Sequence, residues 1–141
     1  MRIGIEAQRI FRSKKAGMDV VTLHLILELQ QMNLSHHFFL FVKKDEDNSC
    51  IPICENFTLV YVKGYNYAYW EQIELPKIIK EYELDLIHFT SDTAPIFLKN
   101  VKKVLTLHDI MFLERDFFTA LQGSWYQVLG NFYRKWVVPL T

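Results

Sequence analysis

Short apolar runs alternate with helical patterns along the whole chain, and this alternation limits the folds open to it. Strand-like runs lie at residues 2–7, 36–42, 57–63, 84–89 and 103–107. Helical stretches are expected at residues 18–32, 70–82 and 121–138. Because parallel strands need crossover connections, strands that alternate with helices favour a parallel sheet. We therefore expect one α/β domain over residues 1–141, with a doubly wound and mainly parallel sheet.

Two of the expected helices carry a further feature. Pro76 lies inside the second helix, where a proline either begins a fresh first turn or kinks the helix. In the last helix one face is apolar and is expected to join the core: Leu121, Trp125, Val128, Leu129, Phe132 and Trp136. Tyr126 and Tyr133 fall on another face, followed by Arg134 and Lys135. Such an exposed aromatic face suits a second domain or a lipid interface.

Charge and composition exclude several classes of protein. Sixteen Lys and Arg balance sixteen Asp and Glu, whereas nucleic-acid binders usually carry a basic excess, so we expect no nucleic-acid partner. Cys50 and Cys54 are too few for a disulfide framework or a zinc site, and we expect no metal. The charged N-terminus and the lack of a run of ~18 apolar residues predict a cytoplasmic protein.

Polar residues follow three of the expected strands. In open parallel sheets, ligands bind outside the carboxyl ends of the strands. Gly17, in a basic loop, follows the first strand; residues 88–92 end a later one; and His108 with Asp109 follows the last. We expect these groups to meet in one crevice. The basic loop precedes a helix N-terminus, which favours an anion, although a solvated loop explains it equally well.

The histidines and the glycine loop leave alternatives open. Adjacent residues on an extended chain point in opposite directions, so His108 and Asp109 are expected to contact a substrate separately rather than as a pair. His108 and His88 could instead be structural, each ending a strand. The chain contains neither GxGxxG nor a P-loop motif, which argues against an oxidoreductase with a nucleotide or flavin cofactor. We expect no cofactor.

Four stretches together resemble the N-terminal domain of group 1 (family 4) glycosyltransferases of the GT-B fold. The opening RIGIEAQRIF, with its basic loop and Gly17, is similar to the start of that family, and WEQIELPKIIKEYELDLIHF is similar to its helix–strand segment. HFTSDTAP resembles the family's His-x-x-x-Asn-x-x-Pro loop, with Asp92 where Asn is common. TLHDIMFLE resembles its Thr-x-His-Asp strand end.

This resemblance implies a Rossmann-like domain that forms half of a retaining glycosyltransferase. Such an enzyme moves a sugar from a nucleotide-sugar donor to a glycan or lipid-linked acceptor. By resemblance, Gly17 lies near the donor phosphates, His108 contacts the transferred sugar, and Asp109, His88 and Asp92 lie on the acceptor side. No metal is implied, because basic residues of a second domain neutralise the diphosphate.

The same family carries a C-terminal domain that holds the donor, and no stretch of this sequence resembles it. The resemblance therefore implies an N-terminal fragment that is inactive alone and packs against its own C-terminal domain. It also allows peripheral contact with the inner face of a membrane. The alternative is a non-catalytic interaction module, which binds a partner domain, a second copy of itself or a membrane surface through its exposed aromatic face.

Overall fold

Five parallel strands form one sheet in the computed structural model, which describes residues 1–52, 54–109 and 125–141, with side chains of the last stretch from residue 128 on. The strands are β1 (Arg2–Glu6), β2 (His37–Val42), β3 (Phe57–Tyr61), β4 (Leu86–Phe89) and β5 (Lys102–Leu105). Their order is β3-β2-β1-β4-β5, and every neighbouring pair is parallel. The expected α/β, Rossmann-like architecture is confirmed.

The strand order reverses at β1, which pairs with β2 on one side and with β4 on the other. The connection after β1 leads to β2 on one side, and the connection after β4 leads to β5 on the other side. A crevice therefore opens beyond the carboxyl ends of β1 and β4, the place where open α/β sheets bind ligands.

Each face of the sheet packs into its own apolar core. Successive strand residues point to opposite faces, so Phe38 and Leu40 join the core beneath α1 (Gly17–Gln31). Phe39 and Phe41 join the core on the other face. The near-continuous apolar run of β2 is thus explained by burial on both sides.

The core that contains Phe39 and Phe41 is covered by a helical segment, residues 67–82, in which the type of helix changes three times. It comprises α2 (Tyr67–Tyr69), a π-helical turn (Trp70–Glu74), α3 (Leu75–Ile79) and a 3-10 turn (Lys80–Tyr82). The segment begins three residues before the expected start, because the Asn66 side chain caps it by accepting a hydrogen bond from the Tyr69 amide at 2.9 Å.

Pro76 begins a fresh turn, since it lies in the first turn of α3. A proline has no N–H, and its ring crowds the carbonyl group four residues earlier. The turn just before it is widened, and the Leu75 amide donates to the Trp70 carbonyl oxygen five residues back. This widened turn contains Glu71 and Gln72, which belong to the site described below.

The expected inner face of the last helix, α4 (Trp125–Val137), is wrong for Leu129 and Trp136, whereas Val128 and Phe132 are half-buried. Trp136 is 72% exposed and Leu129 is 49% exposed, whereas Val137 is buried and Tyr133 turns inward. The reason is polar: the Tyr133 hydroxyl donates a hydrogen bond to the buried carboxylate of Glu71. Residues 121–124 and the side chains of Trp125 and Tyr126 lie outside the described residues. Within the described chain, no helix has the length and apolar character needed to cross a membrane.

Candidate functional site

A cleft of about 160 Å³ opens at the carboxyl edge of the sheet. Its walls come from the loop after β1, the start of α1, α2, the loop after β4, and α4. The lining residues are Arg9, Met18, Tyr67, Ser91, Thr93, Gly130, Tyr133 and Arg134. Polar and charged side chains thus predominate at the edge where the fold places ligands.

The carboxylate of Glu71 organises the inner end of this cleft. Glu71 is fully buried, and its Oε1 accepts hydrogen bonds from the Tyr67 hydroxyl at 2.8 Å and the Thr93 hydroxyl at 2.6 Å. Its Oε2 accepts from Gln72 Nε2 at 2.9 Å and from the Tyr133 hydroxyl. Four donors thus satisfy the oxygens of this buried carboxyl group, as a buried polar group requires.

The two tyrosines of this network keep their protons. Burial raises the pKa of Tyr67 well above its usual value, and the charges of Glu6 and Glu71 raise it further. Burial and the charge of Glu71 raise the pKa of Tyr133 in the same way. Both hydroxyls therefore act as hydrogen-bond donors to Glu71, and neither supplies a phenolate base.

A second buried carboxyl group, Glu6, joins the ends of β1 and β4. Its Oε1 accepts from the Gln8 amide at 3.1 Å, and its Oε2 accepts from the Thr90 amide at 3.4 Å. The Thr90 hydroxyl donates to the backbone oxygen of Glu6 at 2.8 Å. Burial raises the pKa of Glu6, and the nearby charge of Glu71 adds to the rise.

We expect Glu6→Gln to remove a pH dependence of folding. With its pKa raised, Glu6 binds a proton more tightly in the folded than in the unfolded chain, so its contribution is complete below the ordinary value of 4.5 and is lost as pH rises above it. The stability lost is about 1.4 kcal/mol for each unit by which folding raises the pKa of Glu6. Urea unfolding between pH 4 and 8 should show Glu6→Gln gaining stability relative to wild type as pH increases.

The matched control for that series is Glu28→Gln, at an exposed position on α1. Its difference from wild type should stay small and flat across the same pH range. A Glu6→Gln difference that does not change with pH would contradict the assignment.

Asp92 and His108 meet above the carboxyl end of β4. Asp92 is 1% exposed, and its backbone has a left-handed φ of 64°. Its Oδ1 accepts from the His108 amide at 2.7 Å, and its Oδ2 lies 3.5 Å from Nη1 of Arg134. His108 Nε2 lies 2.8 Å from the Thr90 carbonyl oxygen. Since a carbonyl can only accept, Nε2 carries a proton, and Nδ1 faces away from this bond.

The other expected site residues lie at different distances from the cleft. Gly17 is the first residue of α1 and is exposed, one residue before Met18, which lines the cleft. Asp109 is exposed and follows His108. His88 lies apart: it pairs with Ile5 on the α1 side of the sheet, and its Nε2 is 2.7 Å from the Thr106 hydroxyl. Burial lowers the pKa of His88.

The sequence placed Arg9 in a basic loop that favours an anion, and Arg9 does line the cleft. Sequence reasoning missed the other residues that shape the cleft: Glu6, Tyr67, Glu71 and Arg134. One signal was available, because a Glu inside the apolar run of residues 2–7 is unusual for a buried strand. For Glu71 the sequence offered no signal, since a charged residue in an amphipathic helix ordinarily faces solvent.

These features place the chain among Rossmann-like α/β proteins with a polar cleft at the switch point of the sheet. No protein-family model matches the chain, and no curated protein matches it. Among the residues that the structure describes, no cluster of three His, Cys, Asp or Glu side chains could hold a metal ion.

Proposed function

We propose that this chain is the acceptor-side domain of a retaining glycosyltransferase, which moves a sugar from a nucleotide-sugar donor to a glycan or lipid-linked acceptor. The observation that supports it is the position of His108, bonded to the loop after β4 at the switch point of the sheet. The four stretches that resemble the family contain this histidine and that loop.

In this proposal His108 binds the transferred sugar. Its ring is oriented by the Thr90 carbonyl and its backbone by Asp92, so Nδ1 remains to form a hydrogen bond with a sugar hydroxyl. Asp109 and the cleft position the acceptor, and the N-terminus of α1 beside Gly17 favours the donor phosphates. Catalysis is then mainly positioning and stabilisation of the leaving group.

The donor is held by a second domain in the family that the chain resembles. We therefore expect the 141-residue chain to transfer no sugar by itself. Joined to the donor-binding domain of a family member with a known nucleotide sugar, it should transfer that sugar or hydrolyse the donor. In this chimera His108→Ala should lower kcat by about 10²-fold, the effect of losing one well-placed hydrogen bond in a transition state.

The matched control is His24→Ala, an exposed histidine on α1 whose loss should leave kcat unchanged. Melting curves of all variants separate a lost contact from a lost fold. Two results would overturn the proposal: sugar transfer by the 141-residue chain at the rate of a two-domain enzyme, or a folded, donor-binding chimera that neither transfers nor hydrolyses.

One observation favours the interaction module as a second candidate. The last described helix and the turn after it expose large apolar side chains: Leu129, Trp136 and Leu140. This surface differs from the expected aromatic face, because Tyr133 points inward. Size-exclusion chromatography over a range of concentrations and flotation with liposomes test it. A monomer that stays in the soluble fraction excludes self-association and lipid binding.

A further inference from the structure

Arg9 is a guanidinium held by an aromatic ring and not by an ion pair among the described residues. It stacks over the ring of Tyr67, with 4.6 Å between its Cζ atom and the ring centroid. Its Nε is buried and has no hydrogen-bond partner among the described residues. Buried N–H groups are rarely left unpaired, because the lost hydration is not regained. Stacking fixes the plane of the five donors, and the donors themselves remain available for a ligand.

The other wall of the cleft adds a second cation. Arg134 reaches the cleft from α4, oriented by Asn131 at 2.9 Å and by Asp92 at 3.5 Å. Ser91 and Thr93 line the same cleft, but the Thr93 hydroxyl already donates to Glu71 at 2.6 Å. The two guanidinium groups therefore define the preference of the cleft, and the preferred ligand of paired guanidinium groups is an oxyanion.

The nearby carboxylates do not cancel this preference. Glu71 lies at the inner end of the cleft, and its oxygens accept hydrogen bonds from four protein donors. Glu6 is hydrogen-bonded to Gln8 and Thr90. Glu6 lies close enough to Arg9 for an electrostatic attraction that opposes the rise of its pKa, but neither carboxylate forms an ion pair with Arg9 among the described residues. Asp92 does pair with Arg134, but it is not part of the lining, and its other oxygen is bonded to the His108 amide.

The cleft is small. Sites for whole drug-sized ligands measure roughly 300–1,000 Å³, whereas this one is about 160 Å³. It therefore suits one group of a larger molecule. We propose that it binds a phosphate or carboxylate group carried by the sugar acceptor, gripped by Arg9 and Arg134. This inference rests on the proposed function and specifies its substrate: the acceptor is anionic.

The test uses the 141-residue chain itself, titrated by calorimetry and by amide NMR. The probes are inorganic phosphate, glucose 1-phosphate and glucuronate, with glucose as the neutral comparison and UDP as the fragment of the donor. We expect at least one of the three oxyanions to bind ten times more tightly than glucose and to shift the amides of Ser91, Thr93 and Gly130. Equal binding of glucose would overturn the inference, as would UDP binding more tightly than every acceptor-like probe.

Two variants of the β1–α1 loop make the comparison specific. Arg9→Gln should weaken oxyanion binding at least tenfold, while Lys14→Gln, which removes an exposed charge from the same loop, should change it less than twofold. Arg9→Lys keeps the charge but loses the planar guanidinium group, so its affinity for the oxyanion should lie between those of Arg9→Gln and Lys14→Gln. It replaces Arg9→Gln in the comparison if that variant does not fold. A folded Arg9→Gln that binds like wild type contradicts the proposal.

The inference and the proposed function can fail separately. If the chain binds oxyanions but its chimera transfers no sugar, the glycosyltransferase proposal and the identification of the ligand as an acceptor are wrong. The anion site itself is then still supported. If the chimera transfers sugar to a neutral acceptor and Arg9→Gln does not change KM, the glycosyltransferase proposal is supported and the anion site is contradicted.

Discussion

Glu71→Ala should cost the folded chain about 3–5 kcal/mol, the usual effect of deleting one side of a buried charged network. The change leaves the hydroxyls of Tyr67, Thr93 and Tyr133 without their common acceptor in a buried position. It also removes one of the hydrogen bonds that join α4 to the helical segment of residues 67–82, beside the bond from Gln72 to Tyr133. Urea unfolding should show a large fall of the midpoint with little change of slope.

Two further variants make this expectation specific. Glu71→Gln keeps the volume and one acceptor oxygen, so it should lose clearly less stability than Glu71→Ala. Glu81→Ala removes an exposed carboxylate from the same helical segment and should have little effect. If Glu71→Ala and Glu81→Ala unfolded at the same urea concentration, the network would not be a source of stability.

Trp70→Ala is expected to lower the free energy of unfolding by a similar amount, because it removes apolar packing. The Trp70 side chain is fully buried, and its Nε1 donates to the Val62 carbonyl oxygen at 3.1 Å. Gly64 packs so closely on it that a Cβ at that position would lie 2.8 Å from the Cβ of Trp70. Removing so large a side chain costs about 3–5 kcal/mol, because the walls of the cavity cannot collapse fully.

The chain supplies its own control, since Trp136 is mostly exposed on α4. Trp136→Ala should change the free energy of unfolding by no more than about 0.5 kcal/mol. Trp70→Phe should lie between the two, because it fills most of the space but leaves the Val62 carbonyl unpaired. Equal losses in Trp70→Ala and Trp136→Ala would show that burial of Trp70 is not what stabilises this face of the sheet.

The sequence predicted the local elements well and their arrangement less completely. Within the described residues, apolar runs and helical spacing identified the five strands and the three main helical stretches, because burial of one face or two faces leaves a regular pattern. The pattern cannot specify the order of strands in the sheet. It also could not show that Pro76 follows a widened turn, which depends on the packing of Trp70 and Leu75 in the core.

The site was predicted at the correct edge of the sheet but with other residues at its centre. The chemistry-bearing residues expected from strand ends included Asp92 and His108, which do meet. The Glu71 network could not be predicted, because two of its donors, Thr93 and Tyr133, come from distant segments, and the local donors Tyr67 and Gln72 are residue types that ordinarily lie on the surface of a helix. Tyr133 points inward because it belongs to the same network, whereas apolar spacing alone predicts Trp136 on the inner face of the helix.

The bonds that close the cleft have a kinetic consequence. Glu71 and Tyr133 are 62 residues apart in sequence, and Asp92 and Arg134 are 42 apart. The pairing of β1 with β4 joins residues farther apart still, such as Ile3 and Leu86, but strand pairs are stabilised by a ladder of backbone hydrogen bonds and by the apolar cores. Among the described side chains of α4 only Val137 is buried. We therefore expect the strands and the helical segment to assemble first and α4 to dock late, so that the binding edge is completed last during folding. The same edge is then the part of the described chain that opens most readily in partial unfolding.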